Sequence, residues 1–153
     1  MPDPLRTTLE LRWADTDQYG HVNNVAAVRL AEEARIRLLG LPEKPEHFPP
    51  GPPPVLAVFG TGTFTMAVSQ RIEYTAEMPY AGQSVTAEVW LSRIGSRSIT
   101  MDCRVGDGSG TTYFIARVSV VIMDLTTRRP RALTTAETDH LSGYQGEPLA
   151  FRD

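Results

Sequence analysis

The chain has 153 residues, of which 41% are hydrophobic and 22% charged, with a net charge of −3. That is one ordinary domain with enough apolar residues for a core, and it is neither a disordered nor a membrane composition. The charge excludes broad attraction to nucleic acid or anionic membranes, and no apolar run reaches the ~20 residues that span a bilayer.

Residues 5–13, LRTTLELRW, alternate and carry threonine and tryptophan, which predicts a strand. A polar loop, DTDQYGHVNN, follows at 15–24. The next segment predicts a helix from Asn24 to Leu39, with Ala27, Leu30, Ala31, Ala34 and Leu38 on one face. Arg29, Glu32, Glu33 and Arg37 fall largely on other faces, and Glu33 to Arg37 is a favourable (i, i+4) pair. Asn23 or Asn24 can cap the start, and Gly40 with Pro42 stops the end. The alanine-rich face lets this helix lie close against a sheet.

The proline-rich loop 42–54 holds seven of the 12 prolines and reads as a stiff surface connection. Strands are then expected at 55–59, 63–74, 84–94, 97–105 and 113–125, separated by turn residues at MPYAG, GS and GDGSG. Strands this close in sequence are expected to pair as antiparallel neighbours. A short helix is expected near Thr134 or Thr135. The sum is an α+β fold, one curved antiparallel sheet wrapped around one long central helix. Its core covers about residues 5–133 and its tail 134–153. Exposed sheet edges need a partner, so a dimer is expected.

RWADTDQYGHVNN followed by an amphipathic helix resembles the opening of the 4-hydroxybenzoyl-CoA thioesterase-like family of hotdog-fold proteins. RIEYTAEMPYAGQSVTAEVWLSRIGSRSITMDCRV resembles that family's central strands, and VIMDLTTRRPRAL its last strand and exit. The match runs from about Leu11 to Leu133. It implies a hotdog fold, a dimer or dimer of dimers, hydrolysis of an acyl-CoA or acyl-carrier-protein thioester, and neither metal nor cofactor beyond the coenzyme A of the substrate. By that pattern Asp17 is the catalytic carboxylate, either attacking the thioester carbonyl or activating water. Read from the residues alone, Asp17 is better explained as capping a turn or the helix. Asp15 is expected to organise the loop by bonding backbone N–H groups.

Gly20, His21 and Val22 are expected near the helix N-terminus, where free N–H groups would hold an oxyanion. Glycine suits a backbone that closes on a ligand. His21 could bond substrate or pack beside a partner. Asn23 and Asn24 could position water or the acyl group, one of them capping the helix. Arg93, Ser96, Arg97 and Ser98 surround the turn RIGSRS. The comparable family hairpin lies near the coenzyme A end, where arginine and serine can bind phosphate, and an ordinary exposed hairpin is the competing reading. Ala27 replaces a common family aromatic, which implies a wider or differently shaped acyl pocket. The three histidines, His21, His47 and His140, lack metal-ligand spacing.

Two rivals differ in class. HFPPGPPP at 47–54 superficially resembles the His-Phe-Pro segment of hydroxyacyl thioester dehydratases, but here it follows the long helix instead of preceding it. A non-catalytic acyl-CoA-binding hotdog protein is the other. No Gly-x-Ser-x-Gly elbow is present, which excludes that serine hydrolase design. A single cysteine, Cys103, excludes an internal disulfide. With no basic region followed by an apolar stretch at the N-terminus, a cytoplasmic location is expected.

Overall fold

The long helix forms where the apolar spacing puts it. In the computed structural model, which describes residues 1–43 and 54–153, α1 spans Asn24–Leu39. Asn23 is its cap: the side-chain oxygen accepts the Ala26 N–H at 2.8 Å. Ala27, Leu30, Ala31 and Ala34 are buried as expected, while Leu39 takes the fully buried place at the helix end and Leu38 is only half-buried. On the outer side Glu33 accepts from Arg29 at 2.8 Å and also pairs with Arg37.

Five strands make one antiparallel sheet: β1 Leu5–Glu10, β2 Thr63–Tyr74, β3 Ser84–Ile94, β4 Ser98–Gly106 and β5 Thr112–Asp124. Their order across the sheet is β1-β3-β4-β5-β2. Helix α1 packs on β1, β3 and β4, and the small alanine side chains let it approach. Leu30, Leu9, Val89, Met101 and Phe114 are the kind of side chains that fill the space between, each essentially inaccessible to water. Burial of each such side chain is worth about 1.5–3 kcal/mol.

Three expectations need correction. The first strand ends at Glu10, not Trp13, because Trp13–Asp15 turn into a 3-10 helix. The Asp15 carboxylate takes the Arg12 N–H at 2.8 Å and folds the chain out of the sheet. Residues Val55–Phe59 also form a 3-10 helix instead of a strand. Val55, Leu56 and Phe59 must all face the core at once, and a strand would alternate them between two faces. Finally, β2 and β3 are sequence neighbours but do not pair; β2 pairs with β5 and β3 with β1. The connection between them crosses the end of the sheet, donating Thr75 and Ala76 N–H groups to the Tyr113 carbonyl.

The tail forms α2, Thr135–Ser142, with Thr134 and Glu137 in a reciprocal capping box. Glu137 also accepts two bonds from Arg131, at 2.8 and 2.9 Å. Most of the proline-rich loop, with His47, lies outside the described residues. Among those described, no helix is long and apolar enough to cross a membrane.

Candidate active site

The loop after β1 is held as a tight hairpin by its own backbone. Thr16 faces Val22 in one antiparallel bridge, and His21 faces Pro79 in another. Val22 donates to the Met78 carbonyl at 2.8 Å and Tyr80 to the Gly20 carbonyl at 3.2 Å. The crossing connection therefore braces the loop from outside, which sequence spacing does not reveal. Gly20 sits at φ +76°, a left-handed conformation that a side chain disfavours.

Asp15 anchors the loop from below. Its side chain is 3% exposed and accepts the Arg12 N–H and Arg29 Nη2, the latter at 2.9 Å. Burial alone would raise its pKa, but the Arg12 N–H and the Arg29 and Arg12 guanidiniums outweigh burial and hold it below the usual 3.8. Its carbonyl accepts the Asn23 N–H at 2.9 Å, which joins the anchor to the helix cap.

Asp17 lies two residues on, half-buried. Its Oδ1 accepts the Tyr19 N–H at 2.8 Å and the His21 N–H at 3.2 Å. Its Oδ2 takes no hydrogen bond among the described residues. One oxygen is thus pinned by two amides, and the other is not.

Asp17, His21, Val22 and Asn24 line a cleft of about 360 Å³ with Ala27, Tyr74, Met78 and Phe114. That volume suits a small-molecule site. His21 Nε2 stands 3.6 Å from the exposed Glu77 carboxylate. The Tyr74 hydroxyl donates to the Asn24 carbonyl at 3.2 Å, and burial pushes the Tyr74 pKa above its usual 10. Tyr74, Met78 and Phe114 were not singled out from sequence. The only signal for Tyr74 and Met78 is EYTAEMPY, whose Tyr and Pro mark a turn but not what the turn faces, and Phe114 has none beyond its place in a strand.

The expected oxyanion donors are corrected. The Gly20, His21 and Val22 N–H groups are already committed to Asp17 O, Asp17 Oδ1 and Met78 O. A tight hairpin consumes its own amides, so it cannot also present them to a ligand. The free donors at this end are instead Asn24 and Val25, the first two residues of α1, whose N–H groups meet no protein acceptor among the described residues. Asn23 is occupied as the cap, while Asn24 reaches the cleft.

The hairpin with Arg93, Ser96, Arg97 and Ser98 is not brought to this cleft within one chain. The cleft lies level with the cross-strand row Tyr74, Phe114, Val105 and Ala87. The hairpin is at the far end of β3, roughly 20 Å away at about 3.3 Å per residue. Arg93, Ser96 and Arg97 are exposed there, and Ser98 is half-buried. Among the described residues, no three His, Cys, Asp or Glu side chains are grouped to hold a metal ion.

The chain matches the thioesterase-like superfamily over residues 11–140, and it belongs to that superfamily. Among solved structures it is similar to a predicted thioesterase from Bacillus stearothermophilus, at 21% identity and a TM-score of 0.74, covering 94% of this chain and 98% of that one. The probable thioesterase YbaW from Escherichia coli gives 21% and 0.73, covering 93% and 99%. A thioesterase complexed with coenzyme A and Zn from Thermus thermophilus gives 22% and 0.70, covering 96% and 98%. No curated protein matches the chain. These likenesses establish the fold as the α+β hotdog, and with the superfamily match they put the chain among the thioester hydrolases.

Proposed function

We propose that this chain hydrolyses an acyl-CoA thioester to the free acid and coenzyme A, with Asp17 as nucleophile or general base. The observation that carries the proposal is Asp17 itself. It lines the cleft with one oxygen pinned by two amides and the other unbonded. Either role needs a carboxylate oxygen that no other group occupies. The Asn24 N–H, at the positive end of α1, is the donor best placed to hold the thioester oxygen. Coenzyme A as carrier is supported by the similar Thermus thermophilus structure, which holds it.

The hairpin arginines serve coenzyme A phosphates if a second copy brings them. Pairing β2 with β2 of a two-fold partner reverses the partner's strands, so its hairpin end falls beside this cleft. The crossing distance is then roughly 15 Å, three strand spacings of about 4.8 Å.

Thiol release from benzoyl, phenylacetyl, short-chain and palmitoyl esters of coenzyme A tests the proposal, with Asp17→Asn beside the wild type. The asparagine oxygen still accepts the Tyr19 and His21 N–H groups, so the loop stays in place while the carboxylate is lost. Turnover should fall by about 10²-fold or more, the scale of general base catalysis. Activity of the variant within a few-fold of wild type removes Asp17 from the chemistry. Release from no ester moves the assignment to carrier-protein thioesters or to binding without turnover.

A further inference from the structure

The space between α1 and the sheet does not end at the Asp17 cleft. Beside it lies a cavity of about 20 Å³, room for one small group. Cleft and cavity are lined by the same three elements, one step apart. Ala27 lines the cleft and Ala31 the cavity, about one helical turn further along α1. Phe114 and Ala116 stand in the same relation on β5, and Tyr74 and Gln70 on β2, each pair on one face of its strand.

Val89, Met101, Cys103 and Val118 give the cavity apolar walls, and Arg35 brings a charge to it. The Arg35 side chain is only 13% exposed. A long helical side chain leans back toward the helix start, which carries the guanidinium over Ala31. Its nearest carboxylate among the described residues is the exposed Glu32, 3.7 Å away and beyond hydrogen-bond range. Burial outweighs Glu32 and pulls the Arg35 pKa below its usual value. Cys103 adds no anion, since burial pushes its thiol up to about 12. Neither the Arg35 guanidinium nor the Gln70 amide makes a hydrogen bond among the described residues. A half-enclosed cation between apolar walls is costly, and a ligand anion that bonds it offsets that cost.

We propose that Arg35 and Gln70 receive the far end of the acyl group, so that the chain selects acyl thioesters with a carboxylate at the end away from the thioester. This rests on the reading of Asp17 as the reacting end. From the Asn24 N–H to the level of Ala31 the span is roughly 10 Å, at 1.5 Å per residue, a distance that adipoyl and suberoyl chains bracket. A carboxylate takes two parallel N–H bonds from a guanidinium, and the Gln70 amide can donate a third. A plain acyl chain of the same length makes none of them.

The test pairs each thioester with a plain one of equal length: adipoyl-CoA with hexanoyl-CoA, and suberoyl-CoA with octanoyl-CoA. Thiol release by the wild type gives the ratio of kcat/KM within each pair. In at least one pair it should favour the terminal carboxylate by about tenfold or more, the scale of a charged hydrogen bond. Arg35→Met should abolish that preference. Gln70→Leu, at an exposed position that leaves the buried arginine in place, should weaken it. Calorimetric binding of the same four esters to Asp17→Asn, with and without Arg35→Met, gives the preference without turnover. Release from both members of each pair at equal kcat/KM overturns the inference and leaves hydrolysis standing. No release from any ester, with tighter binding of adipoyl-CoA or suberoyl-CoA that Arg35→Met abolishes, overturns hydrolysis and leaves the anion site standing. Equal binding within both pairs overturns the inference whether or not thiol is released, and so does a preference that survives both Arg35→Met and Gln70→Leu.

Discussion

Asp15, rather than Asp17, gives the sharpest test of how the site is held. Asp15→Ala removes two good hydrogen bonds, from the Arg12 N–H at 2.8 Å and Arg29 Nη2 at 2.9 Å, and a marginal one at 3.4 Å. The backbone bond is worth about 1 kcal/mol net. The Arg29 bond would be worth more if fully buried, but Arg29 is 37% exposed and keeps Glu33 at 2.8 Å. Solvent screening brings that share to about 1 kcal/mol. The variant should therefore lose about 2 kcal/mol, which lowers Tm by about 4–8 °C in a chain of this size. Asp15→Asn keeps the Arg12 bond and should lose about half as much. Urea and thermal unfolding followed by circular dichroism measure both. The pH dependence gives a second reading. The folded-state pKa of Asp15 lies below the ordinary 3.8, so the unfolded chain takes up the proton first as pH falls. The stabilisation is present above the unfolded value and is lost as pH falls through the folded value. The wild type should lead Asp15→Ala by its full margin near neutral pH, and the lead should shrink in acid. A margin under about 0.5 kcal/mol at neutral pH, or one that is constant into acid, refutes this account of the loop.

Two further outcomes follow from the backbone. Gly20→Ala should cost about 1–2 kcal/mol from its left-handed conformation alone, since an added Cβ meets nothing within 4 Å; a Tm equal to wild type contradicts the strained hairpin. Val68→Lys places a charge on the exposed bulge of β2, where Val68 is 54% exposed. If copies pair through this edge, the variant should sediment as a monomer, and an unchanged mass puts the contact elsewhere.

The linear pattern of the chain determined more of the fold than of the site. The span of helix α1 was legible because its alanine and leucine spacing, an asparagine cap and Gly40 all agree, while the choice of Leu39 over Leu38 for burial was not. Strands β2 and β3 were legible because turn residues bracket them. Asp17 became a candidate only through a resemblance, since an aspartate before a helix is also an ordinary cap. Three decisions belonged to the tertiary structure. The run at 55–59 has strand composition, yet three of its side chains must face one core, and that demand bends it into a 3-10 helix. The amides of Gly20, His21 and Val22 were withdrawn as candidate donors because the crossing connection and Asp17 consume them. The hairpin at 93–98 was separated from the cleft by the length of β3, since the cleft lies level with Ala87 and the hairpin follows Ile94 at the other end. Local periodicity and turn chemistry act over a few residues and so can be read along the chain. Which amide is spent, and which strand lies beside which, depends on partners far along the chain, as with the Tyr74 hydroxyl on the Asn24 carbonyl, 50 residues apart.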